Sequence, residues 1–479
     1  MPLAFGIALW WVAPLRTARQ LGASEGYELM KAFLVSLGHP LYREVWNDQP
    51  PLHTELVALL FRLFGPSAYG ARLLAVGFGM LLVASLYGLV RGRSGRLAGL
   101  VAVGLLLASP WFLALSASVM LEVPAMAMGL AAVWAWDRYR QTGRGWWLGC
   151  SGLVFGCALQ MKLTAAIFGP ALAADFVVWR WLGAGEEAGG AASHRRTWWW
   201  EVIFWLGAAG VSFGLIAAAF YRGDTFTVFW GSHFSAGTRQ AAASGFEFGW
   251  ESLLASPGVA LSAVLGASLI GRRGRRDVLF PTVLLGTVLD VHLVHRPYWY
   301  YYAVHFAAPL AWLAAVGLVE GGRTLWRSSA RRSGWEKVER GVGVAGWCGL
   351  VLMVLVQWPG QVREEVNRVK ETMPVSLDPT VAALRAHAAG TRWVVTGNLI
   401  AAFWARLPVP PELAVIPLKR IWSGQIDARE VKACLDRYQP ELVLGGEELE
   451  EHFGLGSYLK EHYRPVVDQP PVDLYVRRR

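Results

Sequence analysis

The sequence predicts a polytopic α-helical membrane protein with about 11 transmembrane helices, followed by a small extracytoplasmic α/β domain. Three observations support this fold class. Only 17% of the 479 residues are charged and 54% are hydrophobic, whereas soluble domains carry about 25% charged residues. Apolar segments of about 16–22 residues recur along the chain, and short Arg-rich loops separate alternate segments. The composition therefore argues against a cytosolic enzyme.

Each apolar segment is interpreted as one span. The first segment has no basic residues before it and no small-residue cleavage site after it, so we expect a retained helix rather than a signal peptide. The predicted spans are residues 1–15, 67–90, 97–115, 118–136, 146–161, 164–182, 198–220, 254–270, 278–294, 301–320 and 342–358.

The basic residues indicate the side of the membrane on which each loop lies. The net charge of +10 is spread over short loops rather than gathered in one patch, which argues against nucleic-acid binding. By the positive-inside rule these loops are cytoplasmic. The extracytoplasmic side of the plasma (inner) membrane then holds residues 16–66, residues 221–253 and everything after Trp358. The Arg-rich loops are at 91–96, 137–140, 195–196, 272–276 and 323–340.

The chain is predicted to divide into a transmembrane module, residues 1–358, and an extracytoplasmic α/β domain, residues 359–479. The second part combines short strand patterns with a helical pattern at 427–438. Strand patterns and a helical pattern that follow one another along a chain are typical of a small α/β domain. The predicted strands are residues 393–396, 442–444 and 472–476.

The first outward loop concentrates ionisable residues. Glu25 and Glu28 follow the first span, and Asp48, Gln49 and His53 precede the second. A loop of this length and acidity is more than a connector. An amphipathic surface helix with solvated charges explains the spacing equally well.

Three further positions carry charge at predicted outward span ends. Glu122 is an isolated acid between two spans, which either has a functional role or satisfies free N–H groups at a helix start. Lys162 either acts in a site or extends to the interface. His295 and Arg296, with Tyr298 and Tyr301, form either an anion-binding patch or part of the interfacial aromatic belt. Metal binding by the histidines is the weaker alternative, because no ligand spacing matches.

Carboxylates and cations together at one membrane face suit transfer of a sugar from a lipid phosphate. A carboxylate base deprotonates an acceptor hydroxyl, which attacks the anomeric carbon, and cations stabilise the departing phosphate. At these residues the chain resembles the GT-C glycosyltransferases that use polyprenyl-phosphate sugars, including the dolichyl-phosphate-mannose protein mannosyltransferases and the bacterial aminoarabinose transferases of lipid A. The motifs that carry the resemblance are Glu25 after the first span, Tyr42 with residues 48–52, Leu121–Pro124, Lys162, and residues 295–298.

The resemblance implies 11–13 spans, two amphipathic helices in the first outward loop and no metal or other cofactor. It implies a general base at the first residue of an Asp-Glu pair, where this chain has Ser24, so Glu25 or Glu28 is the expected replacement. Asp48 and Glu122 match acidic family positions. Gln49 stands where relatives often have Lys, which shifts phosphate binding towards Lys162 and Arg296. The expected substrate-binding residues are Gln49, His53, Lys162, His295, Arg296, Tyr298 and Tyr301.

The sequence therefore predicts an integral-membrane glycosyltransferase. Its expected partners are a polyprenyl-phosphate-linked sugar donor, a protein, lipid or glycan acceptor, and the bilayer, without nucleic acid. A transporter or flippase of lipid-linked sugars is one alternative, although no repeat supports it. A non-catalytic GT-C relative is another, since Ser24 replaces the expected base.

Overall fold

The computed structural model describes residues 1–19, 22–183, 198–221, 225–235, 250, 253–271, 278–294, 298–327, 334–466 and 473–478. Within these ranges each predicted span overlaps a helix, but the predicted span 97–115 is divided between two helices by a turn at residues 108–111. The helices of this part are α1 Pro2–Val12, α2 Gly22–Ser36, α3 Leu52–Phe64, α4 Ala68–Ser94, α5 Arg96–Leu107, α6 Phe112–Ser116, α7 Glu122–Thr142, α8 Gly145–Met161, α9 Phe168–Gly183, α10 Trp198–Phe220, α11 Thr225–Phe234, α12 Pro257–Ala267, α13 Leu279–Val294, α14 Ala303–Arg327 and α15 Gly334–Lys370.

Length and apolarity separate the helices that can cross a bilayer. In the described ranges, five helical segments are long and apolar enough to span a membrane: 68–94, 163–180, 198–220, 300–323 and 341–370. Four shorter apolar helices lie at 2–12, 96–107, 257–270 and 279–294. The chain is thus a mainly helical protein with several apolar helices, and the count of 11 spans stays a prediction.

Helix α14 lies at the centre of the bundle. Its Trp312 and Leu313 are fully buried, and it packs closely on α12 through two glycines. A Cβ on Gly266 would lie 2.0 Å from the Leu313 carbonyl oxygen, and one on Gly317 would lie 2.1 Å from the Ser262 carbonyl oxygen. Only glycine permits this backbone contact, which fixes α14 at the centre.

Helix α15 continues beyond the predicted boundary at residue 359. The apolar run ends near Trp358, but the helix extends through Pro359 to Lys370. Glu365 and Val369 are buried on its last turns. The helix therefore joins the two predicted parts of the chain without a break, since a buried face persists after the hydropathy signal has ended.

The last part of the chain contains a small mixed sheet. Strands β1 Val394–Thr396, β2 Leu442–Leu444, β3 Tyr463–Pro465 and β4 Leu474–Arg477 lie in the order β1-β2-β4-β3. β1 and β2 are parallel, whereas β4 is antiparallel to β2 and β3. Helices α16 Pro379–Ala386, α17 Leu399–Ala405, α18 Leu418–Trp422, α19 Ala428–Tyr438, α20 Gly446–Phe453 and α21 Gly456–His462 complete this region.

The first outward loop shares a hydrophobic core with this C-terminal region. Leu29 and Leu34 of α2 are fully buried in the same cluster as Phe403 of α17. A Cβ on Gly26 would lie 2.7 Å from the Ile400 backbone nitrogen, and Arg19 donates to Asp378 at 2.5 Å. Helix α2 is therefore enclosed between the bundle and the C-terminal region, and the surface-helix alternative is wrong.

A buried charged network lies near the C-terminal end of α7, opposite the end that begins with Glu122. Arg93 donates to Asp137 at 3.0 Å and to Asp175 at 3.3 Å, and Arg140 donates to Asp175 at 2.6 Å. Buried charges persist when they are paired and hydrogen-bonded. This network joins α4, α7 and α9 at the end of the bundle that carries the Arg-rich segments 91–96 and 137–140.

Candidate active site

Glu25 is held in place by Arg72 of α4. The Arg72 guanidinium donates from Nε and Nη2 to the two carboxylate oxygens, at 2.8 and 2.6 Å, and both side chains are fully buried. The Val119 backbone nitrogen also donates to Glu25, at 3.1 Å. A bidentate pair with a further amide donor stabilises the charged carboxylate. Glu25 thus fastens α2 to the bundle.

Glu122 and Lys162 form a second buried ion pair. Glu122 begins α7, and Lys162 follows the last residue of α8 in an extended conformation that ends the helix. The Lys162 ammonium donates to Glu122 Oε1 and lies 4.9 and 5.2 Å from the ring centroids of Tyr301 and Tyr302. The exposed fractions of Glu122 and Lys162 are 1% and 6%, so the interfacial alternative for Lys162 is wrong.

Glu28 lies one helical turn after Glu25 and faces a polar group of side chains. Its Oε1 lies 2.8 Å from the Lys31 ammonium in an ion pair, and Lys31 donates a hydrogen bond to Asn47 at 3.1 Å. Its buried Oε2 has no hydrogen-bond partner among the described residues and lies 4.0 Å from His53 Nδ1. One carboxylate oxygen of Glu28 is thus left to interact with a ligand.

Asp48 connects the first outward loop to two later parts of the chain. Its carboxylate pairs with Lys419 of α18 and lies 3.3 Å from His233 Nε2 of α11. Gln49 donates to the same oxygen at 3.2 Å. Burial and the nearby charge of Lys31 lower the pKa of Lys419, so its ammonium depends on a counter-anion, here Asp48.

These groups form one electrostatic cluster. The charge of Glu28 acts on both Lys162 and Lys419, and the charge of Lys162 acts on His233. Burial lowers the pKa of His53 to about 4 and that of His233 to about 4. Both imidazoles are therefore neutral near pH 7 and can accept or donate a hydrogen bond without adding charge.

Comparison with known proteins adds the family context. Residues 48–185 match the sequence profile of the dolichyl-phosphate-mannose-protein mannosyltransferase family. The structure of ArnT from Cupriavidus metallidurans bound to undecaprenyl phosphate is similar over 99% of this chain and 97% of that chain, with a TM-score of 0.66 and 15% identity. The chain has the fold of the GT-C glycosyltransferases. No curated protein sequence matches it.

An archaeal enzyme gives a second, more distant similarity. The apo oligosaccharyltransferase of Archaeoglobus fulgidus matches over 96% of this chain and 72% of that chain, with a TM-score of 0.54 and 13% identity. The Archaeoglobus fulgidus oligosaccharyltransferase AglB, in complex with an inhibitory peptide and a dolichol-phosphate, covers 94% of this chain and 69% of that chain at 12% identity and a TM-score of 0.51. At these identities the similarity concerns the GT-C fold.

The predicted site residues are distributed unevenly in the chain. Several lie in the cluster: Glu28, Asp48, Gln49, His53, Glu122, Lys162 and Tyr301. Glu25 lies beside it in the pair with Arg72. Tyr298 lines a separate cavity together with Trp111 and Tyr300. His295 and Arg296 lie outside the described residues.

The sequence analysis missed four of the cluster's members. Lys31 lies three residues after Glu28, and helical spacing alone pairs the two side chains. Asn47, directly before Asp48, gave no charge signal. His233 and Lys419 come from distant parts of the chain, and no local pattern connects either residue to Asp48. In the described residues, no group of three or more His, Cys, Asp or Glu side chains is arranged to hold a metal ion.

Proposed function

We propose that this protein is an integral-membrane glycosyltransferase that moves a monosaccharide from a polyprenyl-phosphate carrier to an acceptor hydroxyl. The observation that carries the proposal is the buried cluster in which Lys31, Lys162 and Lys419 lie among carboxylates. The GT-C fold supports it, because the similar ArnT structure holds undecaprenyl phosphate. Three ammoniums in a desolvated site suit a phosphate that gains charge as the sugar leaves.

The donor phosphate is proposed to bind at Lys162 and Lys419. The Lys162 ammonium is buried and the Lys419 side chain is 22% exposed, and each has a carboxylate partner, Glu122 and Asp48 respectively. Lys419 supplies the cation that Gln49 does not provide. A phosphate oxygen that contacts both ammoniums adds charge-assisted hydrogen bonds to the existing pairs.

Glu28 is proposed as the general base. Glu25 accepts three hydrogen bonds from Arg72 and Val119, so both of its oxygens already have partners. Glu122 is paired with Lys162. Glu28 combines burial with an oxygen that lacks a hydrogen-bond partner in the described part of the chain, as a base that awaits a substrate hydroxyl requires.

The proposed reaction is a single displacement. Glu28 takes the proton of the acceptor hydroxyl as the acceptor oxygen forms a bond to the anomeric carbon. The bond between that carbon and the phosphate oxygen breaks, and its electron pair stays on the phosphate. Lys162 and Lys419 stabilise the polyprenyl phosphate that leaves, and the C-terminal region above α2 excludes water that would compete as acceptor.

The decisive experiment separates binding of the carrier from transfer. Purified protein in nanodiscs is titrated with undecaprenyl phosphate, and Lys162→Met and Lys419→Met are each expected to weaken binding at least tenfold. Lys432→Met, an exposed lysine of the same C-terminal region, is the control. Equal affinity in all four proteins would refute the phosphate site.

A non-catalytic role is the second candidate, and Ser24 is the observation that favours it. Ser24 lies close to Tyr300 and cannot act as the acid–base group that the resemblance places there. Mass spectrometry of membranes with and without the protein distinguishes the two roles. A mono-glycosylated species together with its lipid carrier supports the transferase, whereas carrier binding without any transfer product supports the non-catalytic role.

A further inference from the structure

The cavity lined by Tyr298 lies beside the candidate active site, between α6, α15 and the loop before α12. Its volume is about 200 Å³, below the range of about 300–1,000 Å³ typical of sites for drug-sized ligands. It therefore has room for a single small ring. Its walls include the aromatic rings of Trp111 and Tyr300 and the polar side chains of Gln361, Glu364 and Arg368.

The two sides of this cavity differ in chemistry. The rings of Trp111 and Tyr300 contact each other, with centroids 4.4 Å apart, and form an aromatic wall. Arg368 lies 4.1 Å from the Trp111 ring centroid and donates to Glu364 at 2.7 Å. A ligand in this cavity thus meets an aromatic surface together with donors and acceptors, the combination that a ring with apolar C–H faces and polar hydroxyl edges requires.

The charges in the cavity argue against a phosphate. Arg368 is its single cation among the lining residues, and it is already paired with both Glu364 and Glu365. A phosphate would have to compete with these two carboxylates for the Arg368 guanidinium, whereas a neutral polyol can hydrogen-bond to the carboxylates without a charge penalty.

The backbone of Trp111 is held in an unusual conformation. Its φ is 65°, in the left-handed region that non-glycine residues rarely adopt. The Trp111 backbone N–H donates to Glu365 at 2.9 Å, and the Leu113 N–H donates to the same carboxylate at 3.4 Å. Residues kept in strained conformations by their surroundings cluster at binding sites. The strain here orients the Trp111 ring into the cavity wall.

Tyr300 connects this cavity to the candidate active site. It lines the cavity, lies close to Ser24, and interacts electrostatically with Glu122 and Glu25. A ring bound against Trp111 therefore lies next to the proposed reaction centre. Neither the cluster of lysines nor the pair of Glu25 with Arg72 contributes to the cavity lining.

We propose that this cavity is a saccharide subsite that binds the acceptor of the transfer reaction. The proposal rests on the function proposed above and specifies it further, because it makes the acceptor a carbohydrate or a carbohydrate-bearing molecule rather than a bare peptide or lipid hydroxyl. The aromatic wall contacts the C–H face of the sugar ring. Glu364 and Gln361 hydrogen-bond to its hydroxyls.

Direct binding tests the subsite independently of transfer. The full chain in nanodiscs is examined by saturation-transfer-difference NMR with methyl α-D-mannopyranoside and methyl β-D-glucopyranoside as probes. We expect a signal from at least one glycoside, reduced at least threefold in Trp111→Gly and in Glu364→Ala. Glycine adopts a φ of 65° without strain, so Trp111→Gly removes the ring and keeps the backbone. Trp146→Phe and Glu371→Ala, at exposed positions outside the cavity, are the controls.

The outcomes separate this proposal from the function on which it rests. Absence of a glycoside signal in the wild-type chain, or an equal signal in all variants, overturns the subsite. Inorganic phosphate that displaces the glycosides would overturn it as well, because the charge argument would then be wrong. Glycoside binding in a chain that neither binds undecaprenyl phosphate nor yields a transfer product would leave the subsite standing and refute the proposed transferase.

Discussion

At the residue scale, the acids of the first outward loop differ in their partners rather than in their chemistry. Glu25 and Glu28 lie one turn apart on α2, and both are buried. Arg72 occupies both oxygens of Glu25, whereas Lys31 occupies one oxygen of Glu28. The carboxylate with the complete set of partners holds the fold together, and the one with an incomplete set is available for proton transfer.

Replacement of Glu25 is expected to cost stability first. Glu25→Gln leaves the Arg72 guanidinium buried without a counter-charge, which typically costs about 3–5 kcal/mol. Thermal unfolding of the purified protein in detergent measures the loss. A Glu25→Leu, Arg72→Met double variant should recover part of it, because the isolated charge is removed. A Glu25→Gln variant with unchanged unfolding temperature and no turnover would instead identify Glu25 as the base.

Replacement of Glu28 is expected to act on turnover. General-base catalysis contributes about 10²–10⁴-fold, so Glu28→Gln should lower kcat within that range and change the donor KM much less. Glu44→Gln, at a half-exposed acid of the same loop that pairs with His39, is the matched control. Retained turnover in Glu28→Gln would move the base to Asp48.

Protonation of His53 should destabilise the fold in acid. The pKa of His53 is about 4 in the folded chain and about 6.5 in an unfolded one. The unfolded state therefore binds more protons below pH 6.5, and stability falls as the pH drops towards 4, by up to about 3 kcal/mol. His53→Gln should flatten the pH dependence of the unfolding temperature. His452→Gln, at an exposed histidine, should leave that dependence as in wild type.

At the scale of elements, helix α2 shows what a sequence pattern does not predict, namely that the polar face of an amphipathic helix is buried as well. Its apolar and charged residues are consistent with a surface helix, yet both of its sides are covered. The side of α2 that faces away from the bundle is covered by α17, which lies hundreds of residues later in the chain. Local periodicity reports that a helix has an apolar face, but it does not report that its polar face is enclosed as well.

The contact of α2 with α17 depends on Gly26. Because a Cβ there would lie 2.7 Å from the Ile400 backbone nitrogen, Gly26→Ala must displace one helix, at a cost of about 1–3 kcal/mol. Gly77→Ala is the control, since its Cβ would meet nothing within 4 Å and alanine favours the helix. Unfolding temperatures of the two variants should move in opposite directions.

At the scale of the whole molecule, the fold was more predictable than the site. Each span depends on a continuous apolar run, which the sequence displays directly, and each of the predicted segments overlaps helical residues, although segment 97–115 is divided between α5 and α6. The site depends on contacts between Glu28, Asp48, Lys162, His233 and Lys419, which come from five separate parts of the chain. Glu122, Lys162 and Asp48 stand out as charges in or beside apolar segments. Lys419 does not, because it lies in a polar region where lysines are common.

The sidedness of the chain is a further whole-molecule prediction. The Arg93 network and the Glu122 pair lie at opposite ends of α7, as the positive-inside rule expects for a site on the outer face. In a chain whose native cysteines are replaced by alanine, Lys432→Cys should react with a membrane-impermeant maleimide in intact cells. Arg138→Cys should react only after lysis. The reverse pattern would place the candidate site in the cytoplasm.

The ion pair between Lys419 and Asp48 has a consequence for how the two halves of the molecule assemble. If the C-terminal region only excluded water from the site, its removal would slow the proposed reaction without abolishing it. Here the C-terminal region supplies Lys419, the partner of Asp48 in the loop that it covers. The proposed site is therefore electrostatically complete only when the C-terminal region has docked. A chain truncated before Lys419 would therefore lose the covering region together with one of the two cations proposed to bind the carrier phosphate.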